Sequence, residues 1–151
     1  VAAEISSVFS DVSFVLPSAT AWLSAFFNAT VVGVVLASPL AIALSTTFFK
    51  KKYDEEERKA GLTNYIMGAS FITEGAIPFA AADPVRVIPS LIVASALAGG
   101  LAMLFGCELP APHGGLFVIP LVKNAGMYVV SILVGSVVGA VLLGVLKKDK
   151  A

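Results

Sequence analysis

The chain holds one cysteine, one histidine and one tryptophan among 151 residues. A lone Cys107 excludes an internal disulfide framework. Cys107 and His113 together cannot complete a four-ligand zinc site of the Cys/His type. Charge is as scarce, with Asp, Glu, Lys and Arg making up 13% of residues, against roughly 25% in soluble domains. None of the four occurs from Val12 to Phe49, from Val87 to Cys107, or from Asn124 to Leu146. A glycine-rich phosphate loop ending in Lys-Ser/Thr is missing, as are a nucleotide-binding pattern, a metal cluster and a nucleic-acid patch, so no cofactor, metal or catalytic residue is expected.

What is present is apolar: 58% of residues. Each uncharged run reaches the roughly 20 residues that a helix needs to cross a bilayer core. Nine of the twenty charged residues crowd into Lys50–Lys59, a segregation that a soluble core would not leave. The fold class expected is an all-α integral membrane protein, a multi-span helical bundle with re-entrant or broken hairpin elements.

Residues 1–21 read as an interfacial or extracellular lead-in and Trp22 as an interface anchor. Spans are expected at about 23–49, 87–107 and 124–146, the first kinked at Pro39. Residues 50–61 form a cytoplasmic loop. Lys50-Lys51-Lys52 and Lys147-Lys148-Asp149-Lys150 mark both places as cytoplasmic. An even number of crossings must then separate them, yet three apolar segments intervene. The segment that does not cross is 62–82, a re-entrant hairpin, because it carries Glu74 beside Gly75 and Pro78. Residues 109–122, too short to span and rich in Pro and Gly, read as a second re-entrant or irregular element. The chain begins at Val1 without methionine, and further helices are expected upstream.

Glu74 is the one ionisable acid or base from Asn64 to Ala82. An acid at membrane depth usually faces a polar cavity or a partner, and broken backbone at that depth needs protein or water around it. A carboxylate there accepts hydrogen bonds from two adjacent sugar hydroxyls; the structural alternative is an ion pair with Arg86 or Lys123, or a cap on a broken helix. Asp83 and Arg86, three apart, are supporting residues that pair locally or hold the hairpin on the next helix. His113 offers a donor and an acceptor, and Gly75 and Gly114 let backbone approach a ligand closely. Thr73 and Asn64 are further polar candidates. Gly135-Ser136-Val137-Val138-Gly139 fits close helix packing within one protomer, and Cys107 is expected to be an inert packing residue.

At Phe71-Ile72-Thr73-Glu74-Gly75-Ala76-Ile77-Pro78-Phe79, through Ala82-Asp83-Pro84-Val85-Arg86-Val87-Ile88-Pro89, and again at Pro110-Ala111-Pro112-His113-Gly114-Gly115-Leu116-Phe117, the chain resembles the permease component, EIIC, of the bacterial phosphotransferase system, fructose branch. The charged stretch Phe48–Lys52 and Glu55–Gly61 fits too, and the resemblance runs from about Val34 to Leu146. It implies the C-terminal part of a longer membrane domain, in the bacterial inner membrane and typically dimeric. It also implies that fructose or a related sugar is bound within the membrane and moved inward. Phosphate comes from a cysteine of the EIIB partner, which is charged through EIIA and ultimately by phosphoenolpyruvate. Glu74 is the sugar contact that the resemblance implies. This chain carries neither the EIIB cysteine motif nor the EIIA histidine. Two other functions fit the residues: an ion-coupled secondary transporter cycling a proton on Glu74, and a membrane scaffold without transport.

Overall fold

The computed structural model describes residues 24–25, 28–110 and 115–149. The lead-in 1–21, Trp22, His113 and Gly114 lie outside the described residues. Among the described residues the α-helices are α1 (Asn28–Phe48), α2 (Glu55–Ala69), α3 (Ile77–Ala82), α4 (Pro84–Leu104) and α5 (Ala125–Leu146). Shorter 3-10 turns occupy Lys50–Lys52, Glu74–Ala76 and Gly115–Leu121. Among the described residues there is no strand, only an isolated bridge between Glu108 and Lys123. Helices α1, α4 and α5 are each long and apolar enough to cross a membrane. The protein is therefore an all-α membrane protein, and its three uncharged runs are the reason.

Polar contacts fix which helix ends lie together. At one end, the Lys52 ammonium donates to the Lys147 carbonyl and pairs with Asp149 at 3.4 Å. Lys147 pairs with Glu57 at 3.1 Å, and Asp83 and Arg86 share a small cavity with Glu57 and Lys147. The end of α1, the start of α2, the end of α3, the start of α4 and the end of α5 thus meet. At the other end, the Leu109 amide donates to the Ala25 carbonyl at 2.8 Å, and the Asn124 side chain donates to the Phe105 carbonyl at 3.2 Å. Helices α1 and α5 consequently run one way and α4 the other. The α2–α3 hairpin leaves the lysine-rich end and returns to it.

Small residues let these helices approach closely. Ala94 and Ala98 of α4 face Gly135 and Gly139 of α5, and a Cβ on Gly135 would stand 2.5 Å from the Ala94 carbonyl oxygen. The Gly135–Gly139 pair is therefore an internal packing seam, as expected for a chain that must associate without a hydrophobic driving force. Hydroxyls bridge the same bundle. Ser38 and Ser95 lie 2.8 Å apart, Ser95 donates to the Val34 carbonyl at 3.2 Å, and buried Tyr128 donates to the Ala29 carbonyl at 3.2 Å. Helix α2 buries Gly61, Asn64 and Gly68. The two glycines seat against Thr46 and against Pro39 and Leu40 of α1.

Candidate functional site

Helix α2 starts from a capping box. The Asp54 amide donates to the Glu57 carboxylate at 3.0 Å, and Glu55, Glu56 and Glu57 suit the positive end of the helix dipole. It ends in a Schellman motif. The Phe71 amide donates to the Gly68 carbonyl at 3.1 Å and the Ile72 amide to the Met67 carbonyl at 2.8 Å. Phe71 takes the left-handed position, with φ 65°, where glycine is usual; a bulky residue there costs roughly 1–2 kcal/mol. Its ring packs against the cluster of Leu36, Leu109 and Tyr128, which supplies a compensating contact.

That reversal leads directly into Thr73 and the turn Glu74–Ala76. Asn64, fully buried on α2, holds the turn: its amide donates to the Gly75 carbonyl at 3.1 Å. The Asn64 Oδ1 packs against Gly75 and has no hydrogen-bond donor among the described residues. A Cβ at position 75 would overlap that oxygen and stand 2.9 Å from the Met67 sulfur. Gly75 is therefore required by a close side-chain approach, whereas its conformation is ordinary. Asn64 and Gly75 act as one clamp that fixes the backbone carrying Glu74.

The Glu74 side chain is exposed, as are Thr73, Ile72, Ile77 and Pro78 around it. No described residue pairs with its carboxylate. The two cations suggested as structural partners are taken. Arg86 pairs with Asp83 at 2.8 Å, and Lys123 pairs with Glu108 at 3.0 Å. Among the described residues Glu74 thus has no partner; it stands on a clamped turn beside the exposed apolar side chains of Ile72, Ile77 and Pro78. Gly115, with φ 62°, lies directly on the reversal: a Cβ there would overlap the Ala69 carbonyl and meet the Phe71 amide nitrogen at 3.1 Å. The start of the 115–121 element is therefore seated on the hairpin turn that precedes Glu74.

Asp83 and Arg86 do not reach this turn. Their pair lies at the lysine-rich end, bordering a cavity of about 140 Å³ shared with Glu57 and Lys147. Lys147, which the sequence offered only as a topological marker, is 3% exposed. Its ammonium pairs with Glu57 and sits 3.9 Å from the centre of the Tyr53 ring, with the Phe79 ring beyond at 5.9 Å. The Tyr53 hydroxyl lies 2.8 Å from the Ser45 hydroxyl, and burial pushes its pKa up. Lys147 is so placed that it bolts both legs of the hairpin to the end of α5. Cys107 is 1% exposed, and burial pushes its thiol up, so it is unsuited to act as a nucleophile.

Comparison with known proteins gives these positions a context. The chain is 54% identical over 113 residues to the "PTS system fructose-specific EIIABC component" of Bacillus subtilis, covering 75% of this chain and 18% of that one. It is 54% identical over 113 residues to the "Fructose permease IIC component" of Bacillus amyloliquefaciens, covering 75% and 37%. It is 46% identical over 114 residues to the "PTS system fructose-specific EIIC component" of Haloferax volcanii, covering 76% and 30%. The chain thus spans well under half the length of these curated relatives. No family model matches it, and no solved structure does. By identity over three quarters of its residues, the chain belongs to the fructose-type EIIC permeases of the phosphotransferase system.

Proposed function

We propose that this chain is the sugar-contacting, C-terminal part of the membrane component of a phosphoenolpyruvate-dependent fructose phosphotransferase system. The observation that carries the proposal is the exposed carboxylate of Glu74, without a partner among the described residues, on a turn clamped by Asn64 and backed by Gly115. A carboxylate held this way accepts two hydrogen bonds from neighbouring hydroxyls without first breaking an internal ion pair. Thr73 and the Gly75 backbone stand beside it for further contacts, and His113 and Gly114 are proposed as further sugar contacts on the strength of the family resemblance. The apolar patch around Glu74 is the face on which the rest of the permease completes the site.

Depth fits the role. Six residues of α3 and three of the 74–76 turn can reach up to about 15 Å from Asp83, a length that suits a Glu74 near the middle of a core roughly 30 Å thick. The lysine-rich end is cytoplasmic by the positive-inside rule, so the hairpin 62–82 enters from the cytoplasm and returns to it. The permease binds and positions the sugar. An EIIB phosphocysteine, arriving near residues 50–61, supplies the phosphoryl group: its S–P bond breaks to leave the cysteine thiolate, a bond from phosphorus to the sugar hydroxyl oxygen forms, and the hydroxyl proton passes to solvent. EIIA, a homodimeric permease and the bacterial inner membrane complete the assembly, while this chain carries no phosphorylated residue.

Membranes holding the full-length protein and its EIIB partner test this with phosphoenolpyruvate and a panel of labelled sugars. Phosphorylation confined to fructose and close relatives is the expected result. Uptake that continues without phosphoenolpyruvate and collapses with the proton gradient would replace the proposal with ion-coupled transport.

A further inference from the structure

We propose that the groove between the last turn of α1 and the first turns of α2 holds the headgroup of an anionic phospholipid. The groove has a volume of about 350 Å³ and is lined by Thr46, Thr47, Lys50, Glu55, Arg58, Lys59 and Leu62. Three cations face one carboxylate there. Lys59 pairs with Glu55 at 3.0 Å, and Lys50 and Arg58 have no ion-pair partner among the described residues. The Arg58 Nε is buried and has no acceptor among the described residues. The threonine hydroxyls are already engaged: both donate to the Ala43 carbonyl, at 2.9 and 2.8 Å, and Thr47 lies 2.9 Å from the Tyr65 hydroxyl.

A buried guanidinium N–H without an acceptor is costly, and a phosphodiester supplies charged oxygens in the geometry that arginine prefers. The surface beyond the groove favours a lipid over a soluble anion. Glu55, Lys59, Leu62 and Ile66 share one face of α2 by their spacing, and Leu62 is 60% and Ile66 71% exposed. Phe48, at the end of α1, is 74% exposed as well. From Lys59 to Ile66 the helix rises about 10 Å, so charge gives way to greasy surface over the distance from a headgroup to the upper acyl chain. Basic pockets between membrane helices at the cytoplasmic side suit such headgroups. Nothing in this inference depends on Glu74 or on the identity of the sugar.

The test is native mass spectrometry of the full-length protein, released from nanodiscs of phosphatidylcholine containing phosphatidylglycerol as the anionic component. The wild type is expected to retain phosphatidylglycerol in preference to phosphatidylcholine. The K50Q/R58Q double variant should lose that preference by roughly 30-fold, the effect of two cations at an anionic surface, while K50R/R58K keeps it. Fructose binding by K50Q/R58Q should remain that of the wild type. Equal retention of the two lipids by the wild type overturns the proposal whatever the variants do. So does a double variant that keeps its phosphatidylglycerol yet loses EIIB-dependent phosphorylation, which would make the groove a protein-docking surface.

Discussion

Replacing Gly75 with alanine tests the clamp beneath Glu74 from both sides. The added Cβ would overlap the Asn64 Oδ1 and press on the Met67 sulfur. Asn64 is fully buried on α2 and holds the Gly75 carbonyl, so it has little room to retreat. Overpacking of this kind costs about 1–3 kcal/mol. Asn64→Ala removes one hydrogen bond, worth about 0.5–1.5 kcal/mol, and also removes the oxygen with which the alanine collides. The double variant N64A/G75A should therefore lose less than the sum of the single losses, with a coupling of about 1–2 kcal/mol. The measurement is a double-mutant cycle on reversible denaturant unfolding of the full-length permease in micelles, alongside fructose affinity. Additive losses within about 0.5 kcal/mol would refute the idea that Asn64 and Gly75 form one unit. Near-wild-type stability of G75A alone would do the same.

Three further outcomes follow from the geometry. Lys147→Met leaves the half-buried Glu57 without its cation and should destabilise the protein by about 3–5 kcal/mol, read from the denaturation midpoint, with Lys147→Arg recovering much of the loss. Gly135→Ala presses a Cβ against the Ala94 carbonyl at 2.5 Å and should cost about 1–3 kcal/mol, whereas Gly126→Ala, which meets nothing within 4 Å, should be neutral or slightly stabilising. Buried Cys107, its thiol pushed up by burial, should resist maleimide labelling at neutral pH until the protein is denatured; rapid labelling of the folded protein would place it at the surface.

Much of the bundle is visible in the sequence because charge is excluded from lipid. The uncharged runs ending at Phe49 and Leu146 contain α1 and α5, and the run ending at Cys107 overlaps most of α4, which starts three residues earlier at Pro84 and takes in Arg86; the lysine clusters of residues 50–52 and 147–150 flag one end. The break in the hairpin is harder to see. Gly75 and Pro78 draw the eye, yet α2 ends at Ala69 and the chain reverses at Phe71, where a left-handed aromatic residue gives no local signal. Gly75 is there for the sake of Asn64, a contact between positions eleven apart; the one clue was an amide among apolar neighbours. Glu74 was expected to be enclosed at depth, and instead it is exposed on an open face of this chain. Lys147 was legible as a charge near a helix end, but its burial under Glu57, Tyr53 and Phe79 depends on the hairpin folding back.

Fructose binding to the Glu74→Gln permease, measured by equilibrium titration of the full-length protein without EIIB, asks most directly whether the free carboxylate grips the sugar. Losing a hydrogen bond to a charged acceptor should weaken binding by about 1.5–3 kcal/mol, roughly 10- to 150-fold at unchanged thermal stability. Affinity equal to that of the wild type would contradict the assignment and leave Glu74 without a role in recognition.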